Sequence, residues 1–137
     1  MSRNHALEKV DWAKLAYKLL SLGWKTGEAF DDGYDILAYH PERHVACYIE
    51  LKSMDITNRA ANANLTAPIS VVEQQRCSHI VVYVEPEGWF FVARKDRVIT
   101  PGGNIFAALD VDRRLRTPRD GSKSFAPFRD KREELFT

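Results

Sequence analysis

The sequence predicts an α/β domain, a mixed β-sheet flanked by helices, on three observations. One amphipathic segment long enough for a helix opens the chain, over residues 5–22. Segments rich in β-branched and aromatic residues follow at Tyr34–Tyr39, Val45–Lys52, His79–Glu85 and Trp89–Ala93. A single shorter helical stretch stands between the second and third of these, giving grouped strands with helices to cover them.

In the opening helix, Leu7, Val10, Ala13 (or Lys14), Tyr17 and Leu20 recur at three- and four-residue steps. Ala16 and Leu19 widen that stripe, so this face is expected to pack on the sheet. Ser2 or Asn4 suits the N-cap, and Gly23 suits the position just past the helix end. Trp24–Phe30 reads as short and extended, and Asp31-Asp32-Gly33 as a turn. Tyr34–Tyr39 and Val45–Lys52 flank the polar His40–His44 connection and so form a hairpin. His40 and His44 read as solvated turn residues rather than metal ligands.

Ser53–Pro68 is rich in Asn, Ala and Thr, without a period, and reads as a long loop of the kind that often carries function. Pro68 suits the first turn of a helix running to Arg76. His79–Glu85 and Trp89–Ala93 make a second hairpin around Pro86-Glu87-Gly88, with at least half of the aromatics Trp89, Phe90 and Phe91 packed in the core. Ile99–Asn104 is a turn, and Ile105–Leu109 a short helix or strand. Beyond Asp110 apolar residues thin out until Phe125, Phe128, Leu135 and Phe136. Residues 1–109 are therefore expected to be the domain. Residues 110–137 are a charged extension that packs on it or is partly disordered.

The 137 residues, 45% apolar and 28% charged, suit one globular domain with a real core. No apolar run approaches the ~18 residues of a membrane span, and Met1–His5 lacks the apolar centre of a secretory signal. The cytoplasm is the expected location. The net charge of +1 gives the molecule no broad attraction for nucleic acid, although Arg113, Arg114, Arg116 and Arg119 cluster. Cys47 and Cys77 belong to no metal-binding spacing and read as reduced, partly buried thiols.

One constellation carries chemistry. Along Val45–Lys52, Val45, Cys47, Ile49 and Leu51 share an apolar face, while Ala46, Tyr48, Glu50 and Lys52 share the other. Glu50 and Lys52 thus project side by side, about 7 Å apart. The partner strand carries Asp35 among Tyr34, Ile36, Leu37 and Ala38. Charges among core strand residues are rare unless paired or bound to metal. Two neighbouring carboxylates suit Mg²⁺, which takes oxygen ligands and keeps several waters; a backbone carbonyl near Leu51 would add a ligand. Lys52 would orient water or neutralise charge on a phosphate. The competing reading is an acid-and-lysine pair on an ordinary solvated hairpin.

The local forms Gly33-Tyr-Asp35-Ile-Leu-Ala and Tyr48-Ile-Glu50-Leu-Lys52-Ser resemble the signature of the PD-(D/E)XK nuclease superfamily. The resemblance covers about residues 5–95. Trp89–Arg94 is similar to the strand that follows the core in archaeal Holliday junction resolvases and group I intron homing endonucleases of that superfamily. It implies a restriction-endonuclease-like α-β-β-β-α-β core, Mg²⁺ (with Mn²⁺ as a substitute), cleavage of DNA, and often a homodimer. Asp35 and Glu50 would bind the metal and Lys52 would assist. The family often adds a first-helix glutamate, where alignment on Gly23-Trp24 places Trp12. Asp11 is one residue off, and Glu8, one turn earlier on the same face, is the preferred extra ligand. Tyr34 replaces the motif's proline. Gln74 or Gln75 matches a family glutamine beyond the lysine. Arg59, in the loop after the catalytic strand, with Arg113 and Arg114, completes the expected nucleic-acid contacts. A catalytically silent module of the same fold is the alternative.

Overall fold

The computed structural model describes residues 2–28, 33–118 and 122–137, with side chains in the first helix from Val10 onward. Helix α1 (Ser2–Ser21) leads into strands β1 (Lys25–Glu28), β2 (Ile36–His40) and β3 (Val45–Asp55). Strand β4 (Asn64–Pro68) and helix α2 (Val71–Arg76) come next, then β5 (His79–Glu85) and β6 (Trp89–Arg94). Helix α3 (Lys95–Val98), β7 (Asn104–Leu109), β8 (Leu115–Arg116) and the 3₁₀ turns Ala126–Phe128 and Arg132–Phe136 complete the chain. Among the described residues, no helix is long and apolar enough to cross a membrane.

Five strands form the main sheet in the order β1-β2-β3-β5-β6. Its pairs are antiparallel except β3 with β5, which run parallel from Ile49 opposite His79 to Asp55 opposite Glu85. A parallel pair requires a crossover, and β4 and α2 lie on it. Strands β4, β7 and β8 form a second, antiparallel sheet. This is the α/β class with a mixed sheet and flanking helices that the sequence predicts.

Strand periodicity divides the core in two. Cys47, Ile49, Leu51, Val81, Tyr83 and Val92 join Leu15 and Leu19 of α1 on one face of the main sheet. Ile80, Val82, Val84, Phe91 and Ala93 meet Leu65, Ile105, Ala107 and Leu109 of the small sheet on the other. β5 is buried along both faces, as its unbroken apolar sequence demands. The small sheet does not reach the outer strands: Leu37, Tyr39 and Tyr48 stay about 40% exposed. Glu50 and Lys52 therefore sit on the face opposite α1, where open sheet gives way to covered sheet.

Several expectations change. The buried line of α1 is Asp11, Leu15, Ala16 and Leu19, whereas Val10, Tyr17 and Leu20 are 52%, 77% and 56% exposed. The predicted stripe was rotated because Asp11, an acid, lies on the buried line. Residues 53–68 are not one loop: β3 runs on to Asp55, and β4 begins at Asn64. Pro68 ends that strand instead of opening a helix; α2 starts after Ser70, whose side chain caps it. Ile105–Leu109 is a strand, and the 110–137 extension buries Phe125 and Leu135 in the two cores. His40 is buried, edge-on to Trp24 at 5.1 Å between centroids, rather than solvated. The predicted turn at Asp31-Asp32 falls outside the described residues.

Candidate active site

Asp35 precedes β2 and extends its pairing, its N–H donating to Ile49 O at 2.7 Å. Its carbonyl accepts from Trp12 Nε1 at 2.8 Å, so α1 fixes its backbone. Its Oδ2 accepts from Leu51 N at 2.7 Å, which turns the carboxylate onto β3 between Glu50 and Lys52. Glu50, only 5% exposed, lies beside the carboxyl groups of Asp35 and Glu73, so that one proton can be shared among them. Lys52 Nζ stands 3.3 Å from Glu50 Oε2 and 3.4 Å from Glu73 Oε2. Asp35, Glu50 and Lys52 thus converge, which rules out the solvated-hairpin reading for them.

Electrostatics follow from this crowding. Burial, then the charge of Asp35, pushes the Glu50 carboxyl up to about 9. Burial also raises Asp35, against the Leu51 N–H and Lys52. Burial alone would lower Lys52, but Glu50 and Glu73 outweigh it and raise the ammonium above its ordinary range. Glu73 lies below the usual carboxylate range: partial burial opposes this, but the Ser70 N–H, the Glu50 hydrogen bond and Lys52 prevail. A proton shared among carboxylates marks a place where a cation would be welcome.

Glu73 is the site residue that sequence reasoning missed. Its readable signal is the capping box Ser70-Val-Val-Glu73. What that box could not reveal is where α2 sits. Gly33 allows the close approach, because a Cβ there would overlap the Arg76 side chain.

The remaining predicted residues are spread more widely. The side chain of Glu8 lies outside the described residues. Asp11 is fully buried, with neither carboxylate oxygen hydrogen-bonded among the described residues, and Lys14 Nζ stands 4.0 Å away. Gln74 Nε2 donates to Ile69 O at 2.8 Å, tying α2 to its own lead-in, while Gln75 is exposed. Arg113 Nη2 donates to the carbonyls of Ile56 and Thr57, at 3.2 and 2.6 Å, and so staples the turn after β3. Arg114 pairs with Asp112 at 3.1 Å, and Arg59 is exposed. No three His, Cys, Asp or Glu side chains among the described residues form a ready-made metal cage. Two carboxylates suffice for an ion that retains most of its water.

The chain shares its fold with a bacterial homing endonuclease, I-Ssp6803I. The TM-score is 0.63 at 20% sequence identity, over 90% of this chain and 86% of that one. By sequence, no protein family and no curated protein matches the chain. The likeness therefore lies in the arrangement of helices and strands, and the chemistry rests on the residues above.

Proposed function

We propose that this chain is a Mg²⁺-dependent nuclease that hydrolyses phosphodiester bonds in DNA, and that it belongs to the PD-(D/E)XK superfamily. The observation that carries the reading is the buried convergence of Asp35, Glu50 and Lys52 on a fold shared with a homing endonuclease.

The donor set fits a hard divalent cation. Asp35 and Glu50 offer carboxylate oxygens, a backbone carbonyl near Leu51 offers another, and the crowding that now keeps a proton on Glu50 would be relieved by a cation. Bound there, Mg²⁺ or Mn²⁺ supplies a Lewis acid for a phosphate oxygen and an acidified water. The chain's own residues do the rest. Lys52 presents a charged ammonium to the phosphate or to the attacking water, and Trp12 and Leu51 N–H hold Asp35 in register. Glu8 is our choice for a further ligand. Arg59, Gln75 and Arg114 are proposed contacts along the DNA, together with Gln74 and Arg113. Cutting both strands would call for a two-fold pair of chains.

The test is cleavage of labelled duplex, branched and single-stranded DNA and RNA with Mg²⁺ or Mn²⁺. Cleavage should require metal and vanish in Glu50→Ala and Lys52→Ala. Binding without cleavage of any substrate, indifferent to both substitutions, would favour a silent binding module instead.

A further inference from the structure

Glu73 is held before it meets Lys52. Its N–H donates to Ser70 Oγ at 3.1 Å, and its Oε1 accepts from Ser70 N at 2.8 Å. Helix α2 is itself tied down. Lys95 Nζ donates to Gln74 O at 2.5 Å, Gln74 Nε2 donates to Ile69 O, and Gly33 packs against Arg76. From this fixed base both Glu73 oxygens reach Lys52 Nζ, at 3.4 and 3.5 Å. Lys52 is 21% exposed and Glu73 18%, so the contact is mostly sheltered from solvent.

A lysine on a four-carbon stem has many rotamers, and one anionic neighbour does not fix it. Glu50 is a poor sole anchor, because it is shared with Asp35 and is the group a cation would claim. Glu73, by contrast, stands on a rigid mount, held by the Ser70 N–H with both oxygens turned to Lys52. We propose that Glu73 is a positioning residue: its carboxylate aims and holds the Lys52 ammonium, so that α2 and the crossover set the geometry of the catalytic strand. The proposal rests on the nuclease reading for its catalytic consequence, but the clamp itself can be tested without it.

The experiment compares Glu73→Gln with wild type in the full chain. Glutamine also serves at this capping-box position, so α2 should keep its start while the charge is lost. Ser70→Ala is the converse control, weakening the cap while leaving the carboxylate opposite Lys52. In the metal-free protein, acylation of Lys52 by an amine-reactive reagent, read by mass spectrometry, should quicken about fivefold in Glu73→Gln. The kcat for DNA cleavage should fall about ten- to hundredfold, with KM changed less than about twofold. The half-activating Mg²⁺ concentration should not move. Ser70→Ala should lower thermal stability and largely spare kcat.

Unchanged Lys52 labelling in Glu73→Gln would overturn the proposal whatever the activity. So would faster labelling with kcat intact. A tenfold rise in the Mg²⁺ requirement would overturn it too, by making Glu73 a metal ligand. If the wild type cleaves nothing, the nuclease reading falls, and the labelling rates alone decide whether Glu73 fixes Lys52.

Discussion

Replacing Glu50 by Gln should stabilise the metal-free protein while abolishing its activity, and the size of the gain should depend on pH. The unfolded chain ionises this carboxyl near 4.5, whereas the folded chain keeps the proton until about 9. The folded-state value is raised, so Glu50's contribution to stability is complete below pH 4.5. It drains away as pH climbs towards 9. Each unit is worth about 1.4 kcal/mol, so at pH 8 the penalty is at most about 5 kcal/mol. Solvent and small rearrangements reduce what is measured to about 1–3 kcal/mol. Glutamine is neutral at every pH and escapes the penalty. At about 3 °C per kcal/mol, Tm should rise by about 3–10 °C at pH 8 and by no more than about 1 °C at pH 5. The assay is thermal melting of both proteins at the two pH values, with and without Mg²⁺. Mg²⁺ should raise the wild-type Tm at pH 8 and leave Glu50→Gln unmoved. An equal shift at both pH values, or a lower Tm for the variant at pH 8, would refute the electrostatic argument.

Gly33→Ala should cost about 1–3 kcal/mol and slow cleavage, because the added methyl collides with Arg76 and displaces α2; melting and kinetics check it. Leu65→Ala removes a side chain that is 2% exposed from the core beneath the small sheet and should cost about 2–5 kcal/mol in urea unfolding. Trp12→Phe deletes the Nε1 donor to the Asp35 carbonyl. It should lower stability by about 1 kcal/mol and reduce cleavage without abolishing it. Burial pushes the Cys47 and Cys77 thiols up to about 12 and 11, so a thiol reagent at pH 8 should label neither until the protein unfolds.

What the sequence made legible is what strand geometry enforces. Alternation alone put Glu50 and Lys52 on one face of β3, and the hairpin put Asp35 beside them, as the structure has them. On α1, Ala16 and Leu19 are buried as expected, but hydrophobic periodicity also counts Tyr17 and Leu20 as buried and Asp11 as exposed, whereas packing against the sheet centres the buried line on Asp11, Leu15 and Leu19. Strand β4 went unseen because Asn64-Leu-Thr-Ala-Pro68 is short and ends in proline, a residue tolerated at the end of an edge strand. Its partner β7 lies far along the chain, beyond α2, β5 and β6. Glu73 shows the same limit: its local role in a capping box can be read, but its contact with Lys52 depends on where the crossover lays α2 down.

The parallel pairing of β3 and β5 bears on how the site comes into being. The β1–β2–β3 meander is built from neighbouring segments and can form within about microseconds to milliseconds. The strand bearing Glu50 and Lys52 meets its inner neighbour only after residues 56–78 have carried the chain back along the sheet. Until that return, Asp35 and Glu50 stand in water as ordinary acids with no reason to hold a proton. A nascent or partly unfolded chain therefore carries the right residues without their chemistry, which arrives only when the long-range strand docks and drives the solvent out.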